Sequence, residues 1–115
     1  MIGGFVIQGD APQTVVILAK GPSLARYGIP NYVADPSLTL VHDNVAIAAN
    51  DNWTDASNSR DIENSGFAPA NPNESAIMMT LPPGAYTAIF SGANGTQGIG
   101  LIEIYKVGSG SVRSQ

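Results

Sequence analysis

Short apolar runs alternate along this chain with clusters of Gly, Pro, Asn and Asp. The stretch from Ser75 to Val107, SAIMMTLPPGAYTAIFSGANGTQGIGLIEIYKV, holds three such runs, divided by Pro-Pro-Gly and by Gly-Ala-Asn-Gly. That is the pattern of antiparallel strands joined by tight turns. The same reading over the whole chain predicts strands at Ile2 to Gln8, Thr14 to Ala19, Ser37 to His42, Val45 to Ala49, Ser75 to Leu81, Ala85 to Ser91 and Ile99 to Val107. Their Val, Ile, Thr, Tyr and Phe suit a pleated, half-buried surface. TVVILA, Thr14 to Ala19, is apolar almost throughout, as in a strand covered on both faces. Asp43-Asn44 joins two of the runs, and both residue types tolerate the left-handed backbone of a tight hairpin.

Two segments break the strand pattern. Gly21 to Pro36 holds three prolines and two glycines and predicts a long structured loop with one helical turn at Ser23 to Tyr27. Asn50 to Glu74 is polar and predicts a short helix near Ser57 to Asn64, stopped by Gly66. Seven strands without a long helix predict an all-β antiparallel β-sandwich of jelly-roll type. Residues 1 to 107 form one domain, and Gly108 to Gln115 reads as a flexible Gly/Ser-rich tail.

Composition narrows the function. At 115 residues the chain can bury one core without staples. It has no cysteine, which removes disulfides, thiolate nucleophiles and Cys-type zinc sites. Charged residues make up 12% of it, against about 25% in an average domain. The net charge is −4, and Lys20, Arg26, Arg60, Lys106 and Arg113 are scattered. Phosphate neutralisation needs clustered cations, so a nucleic-acid partner is disfavoured, as is an anionic membrane. No apolar run is long enough to span a bilayer. The opening MIGGFVIQGD has neither the basic start nor the cleavage site of a leader.

The segments IGGFVIQGDAPQTVVILAKGPSLARYGIPNYVADPSLTL, NDNW, ESAIMMTLPPGAYTAIFSG and GIGLIEIY, in that order, resemble a repeated module of large secreted or surface-anchored bacterial proteins. The second half is also similar to the bacterial pre-peptidase C-terminal domain, a β-sandwich appended to secreted hydrolases. The resemblance implies an extracellular or cell-surface setting and an accessory role in adhesion, carbohydrate binding or spacing. The module carries a further strand ahead of the segment that matches Met1. Its absence here implies either a shortened frame or an edge beside Ile2 to Gln8 that another chain covers, and so a homodimer or larger assembly.

Three sets of residues could carry function. Asp43, Asn50, Asp51 and Asp55 are oxygen donors on loops at short spacings, which is what calcium takes. Asp35 and Glu74 could join them. The ordinary reading is that these residues make turns and caps. His42 is the only histidine. It cannot build a multi-histidine metal centre alone, although a site shared across a dimer leaves a transition metal open. A Ser-His-Asp triad is disfavoured, because there is no G-x-S-x-G elbow and adjacent residues of a strand point to opposite faces. Trp53, the only tryptophan, sits among amides. With Asn52, and with Tyr27 and Tyr32 from the other long loop, it could stack on a sugar ring; alternatively it plugs one end of the sandwich. Tyr86, Phe90 and Tyr105 fall at strand positions and read as core or cross-strand pairs.

The expected function is a non-catalytic extracellular module binding polysaccharide or a cell-surface glycan, with calcium bracing the Asn50 to Asp55 loop. Two alternatives stand beside it. One is a structural unit that assembles through an open sheet edge. The other is a metal-dependent enzyme acting on polysaccharide through His42 and nearby carboxylates.

Overall fold

A computed structural model describes residues 1–107; the expected tail, 108–115, lies outside them. Seven strands form two antiparallel sheets: β1 (Ile2–Ile7), β2 (Gln13–Lys20), β3 (Pro36–His42), β4 (Val45–Asn50), β5 (Ser75–Leu81), β6 (Gly84–Gly92) and β7 (Leu101–Lys106). One sheet has the order β1-β6-β3-β4 and the other β5-β2-β7. The chain is an all-β sandwich, and six of these strands fall within one residue of where the alternation of apolar runs and turn residues places them.

The β3–β4 hairpin turns on Asp43 and Asn44, both left-handed with φ of 52° and 64°. That is the twist a two-residue hairpin needs. The helix α1 (Ser59–Ser65) begins two residues later than the sequence suggests and ends at the left-handed Gly66. The last strand also starts late. Ahead of it, Ile99 pairs singly with Tyr32 instead of joining the sheet. At Gly100 a Cβ would stand 2.2 Å from the Phe90 ring, so this crossing admits only glycine.

Two hydrophobic clusters hold the fold. Between the sheets, Val15, Ile17 and Ala19 of β2 meet Leu38 and Leu40 of β3 and Tyr86, Ala88 and Phe90 of β6. On the far side of β2, Val16 and Leu18 meet Ala76 and Ile62, with Trp53, Phe67 and Tyr105 packed around them. Residues Val15 through Ala19 are therefore all at most 1% exposed, as the unbroken apolar run implies. The polar segment between β4 and β5 supplies this second cover. Its helix brings Ile62 to complete burial, worth roughly 1.5–3 kcal/mol in transfer free energy. Phe67 stacks on Tyr105 at 4.5 Å between ring centroids.

Among the described residues, nothing covers the four-stranded sheet in this way. Its inward positions fill the core, and its outward positions run in rows across the strands. Ile2, Ile89, Thr39 and Ala49 form one row; Gly4, Thr87, Val41 and Ala46 form the next. Neither row contains a charged residue.

Candidate functional site

The depression that combines an exposed aromatic ring with charged groups lies beside the covered sheet. β2 ends at Lys20, whose side chain is outward like those of Val16 and Leu18. Glu103 of β7 is outward too, opposite Leu18. The two meet in an ion pair of 2.8 Å, each a quarter exposed. Immediately after β2 the chain makes a 3₁₀ turn, Pro22–Tyr27, which carries Arg26 and Tyr27 to the rim. Ala68 and Ala70 complete a groove of about 170 Å³. Tyr27 is 71% exposed.

A buried carboxylate fixes this turn. Glu74, fully buried, accepts the Gly21 N–H at 2.9 Å and the Ser23 N–H at 2.8 Å on Oε2. Its Oε1 accepts the Ser23 hydroxyl at 2.5 Å. The arrangement satisfies donors that a helix start leaves unpaired. Gly21 is required here, because a Cβ would lie 1.9 Å from the Val33 carbonyl oxygen. The carboxylate that the sequence offers to a calcium cluster is thus spent on clipping the turn in place. Burial pushes the Tyr105 phenol above the ordinary tyrosine range, and the Glu103 carboxylate adds to this while Lys20 opposes it.

The expected ligand-binding residues do not share one surface. Tyr27 lines the groove. Tyr32 is half-buried and engaged through its backbone with Ile99. Trp53 packs on the second cluster, its backbone N–H donates to the Glu74 carbonyl at 2.9 Å, and its Nε1 is buried without a partner. It borders a different depression, with Thr54, Ser59, Arg60 and Glu63. The Asn52 carbonyl receives the Asp55 N–H at 2.9 Å and the Asn50 Nδ2 at 3.2 Å, which organises the 3₁₀ turn that follows.

The expected metal ligands divide between two ends of the sandwich. His42 and Asp43 flank the hairpin. Asn50 closes the far end of β4 and Asp51 and Asp55 follow it, five strand rises or about 17 Å away. Among the described residues, no three His, Asp or Glu side chains gather closely enough to hold a metal ion. His42 Nδ1 donates to the Ala85 carbonyl at 2.9 Å, and its ring stacks on Tyr86 at 4.6 Å. Its Nε2 stands 3.4 Å from Asp43 Oδ2. This approach differs from the opposite-face expectation, because the positive φ at Asp43 turns the chain back over the strand end. Asn50 is committed as well: its Oδ1 accepts the Ala76 N–H at 3.0 Å. Asp51 lies near Asp35, a like charge. Partial loss of water raises the Asp51 carboxyl above its ordinary range, followed by the charge of Asp35, hydrogen bonding with it, and the charge of Asp55.

A larger groove of about 420 Å³ runs between β4 and β5. It is a seam without an aromatic ring, and its two amides are used internally: Asn58 Nδ2 donates to the Met78 carbonyl at 3.0 Å, across from the Asn50–Ala76 bond. Sequence reasoning missed Lys20, Arg26 and Glu103. The available signal was the outward charge in two otherwise apolar strands, but their meeting depends on the β2–β7 register. Comparison of the chain with family models, with curated proteins and with solved structures found no match.

Proposed function

We propose that this chain is a non-catalytic accessory module of an extracellular bacterial protein, and that it binds polysaccharide or a cell-surface glycan at the Tyr27 groove. The observation that carries the reading is the exposed Tyr27 ring set on a clamped turn beside the Lys20–Glu103 pair. A pyranose presents an apolar face and a polar rim. The ring supplies the stacking surface, and Lys20, Glu103 and Arg26 supply donors and acceptors for hydroxyls. Because Glu74 holds the turn before any ligand arrives, little ordering cost remains at binding. The resemblance to repeated modules of secreted proteins agrees with an accessory role.

The test is retention on a panel of insoluble and immobilised glycans. Tyr27→Ala loses retention with an unchanged melting temperature, and Trp53→Ala leaves retention intact in whatever fraction remains folded. Equal retention by the Tyr27→Ala variant, or no retention of the native chain on any glycan, contradicts the reading.

A further inference from the structure

We infer that the free edge of β1 is a docking strand for a second copy of this chain, joining two four-stranded sheets antiparallel into one. Among the described residues the sandwich has four edge strands, β1, β4, β5 and β7, and they differ in how they are guarded. The β5 edge is capped by side chains: Asn50 takes the Ala76 N–H and Asn58 takes the Met78 carbonyl. β7 carries Glu103 and Lys106. β4 has a register irregularity against β3 between Leu40 and Val41. Charges, bulges and side-chain caps are the usual means of stopping edge pairing. β1, with the sequence IGGFVI, has no charge, proline or register break.

The geometry of the open edge is fixed by its inner partner. Met1 and Phe90 exchange both backbone bonds, at 3.2 Å and 2.8 Å. Antiparallel bonding alternates, so Gly3, Phe5 and Ile7 also bond to β6, and Ile2, Gly4 and Val6 present their N–H and C=O groups outward. Ile2 is 70% exposed and Val6 61%. A two-fold axis at Gly4 pairs all three residues: Ile2 faces Val6 of the partner, Gly4 faces Gly4, and Val6 faces Ile2. Each pair exchanges two backbone bonds, and the β-branched side chains meet on the outward face. The edge is thus complementary to itself, which a C2 dimer requires. The neighbouring uncharged rows place no repulsion across the junction. One strand buries less than the ~800 Å² per partner of a standard interface, so the dimer depends on concentration.

Sedimentation velocity of the full chain across the micromolar range tests this. The native chain shifts from monomer to dimer as concentration rises. Val6→Lys raises the dimer dissociation constant about tenfold or more, and Ile2→Lys does the same. Val45→Lys, at an exposed position of the β4 edge, leaves it unchanged. Thermal melts confirm that all three variants fold. A native chain that stays monomeric throughout overturns the inference. So does a dimer that survives both β1 substitutions, or one lost equally in Val45→Lys. Monomeric native chain that instead binds an added strand peptide at β1 assigns the edge to another occupant and also overturns it.

Discussion

The two sheets of this molecule share one core and differ in everything outside it. β2, at the centre of the three-stranded sheet, is covered on both faces, and five consecutive residues from Val15 to Ala19 are buried. β6, inside the four-stranded sheet, alternates: Tyr86, Ala88 and Phe90 are buried, while Ala85 and Ser91 are exposed. The difference comes from one polar segment, residues 51–74, which folds over the first sheet and leaves the second bare. It teaches that polarity of a segment does not make it an appendage. Ile62, Phe67 and Trp53 are its few large apolar residues, and all three pack against the covered sheet. The cover also builds the groove margin at Ala68 and Ala70, whereas the bare sheet keeps an open edge.

The largest expected effect strikes the cover. Ile62→Ala costs about 2–5 kcal/mol, as for a fully buried aliphatic side chain, in a denaturant titration. Ile89→Ala, on the bare face, costs much less. Equal losses would erase the distinction between the sheets. Next is Glu74→Gln, whose amide oxygen can keep the Gly21 and Ser23 N–H groups while its NH₂ meets the Ser23 hydroxyl, so a charged acceptor is replaced by a weaker neutral one. It destabilises by about 1–3 kcal/mol and loosens the Tyr27 turn, so glycan retention falls with stability. Tyr27→Ala separates the two roles, with retention lost and the melting point held.

The smallest effect concerns Asp51. Its carboxyl is raised above 3.8 in the folded chain, so the folded state holds that proton longer than the unfolded state does. Stability therefore falls as pH rises from 3.8 through the raised value and stays lower above it. Asp51→Asn removes this contribution and stabilises the chain at neutral pH. Surface exposure and screening keep the gain within ~1 kcal/mol. Melting temperatures of both proteins across pH 3 to 7 check it, and a variant less stable at neutral pH would contradict it.

Most of the fold is legible in the sequence because its signals are local. Asp43-Asn44 names its own turn, Gly66 its own helix stop, and the unbroken TVVILA its double burial. The site is less legible because its parts meet through register and loop return. Lys20 reaches Glu103 only once β2 lies against β7. Asp51 finds Asp35 rather than Asp43, since a whole strand separates the hairpin from the Asn50 loop. Glu74 reads as one more acid near the Asn-rich loop; its burial beneath the Ser23 turn follows from the β2–β5 pairing at Ala19 and Ser75. Trp53 has the sugar-stacking neighbours that composition suggests, yet the second cluster takes its ring.

The contrast between a closed sheet and an open one is tested most directly by amide hydrogen exchange, resolved by residue and repeated at several protein concentrations. Val15 to Ala19 should be the slowest amides at every concentration. Ile2, Gly4 and Val6 should exchange fast in dilute solution and slow as concentration rises, while Gly3, Phe5 and Ile7 remain protected throughout. Protection of Ile2, Gly4 and Val6 that is already full in the monomer, or fast exchange that concentration does not change, would contradict the account.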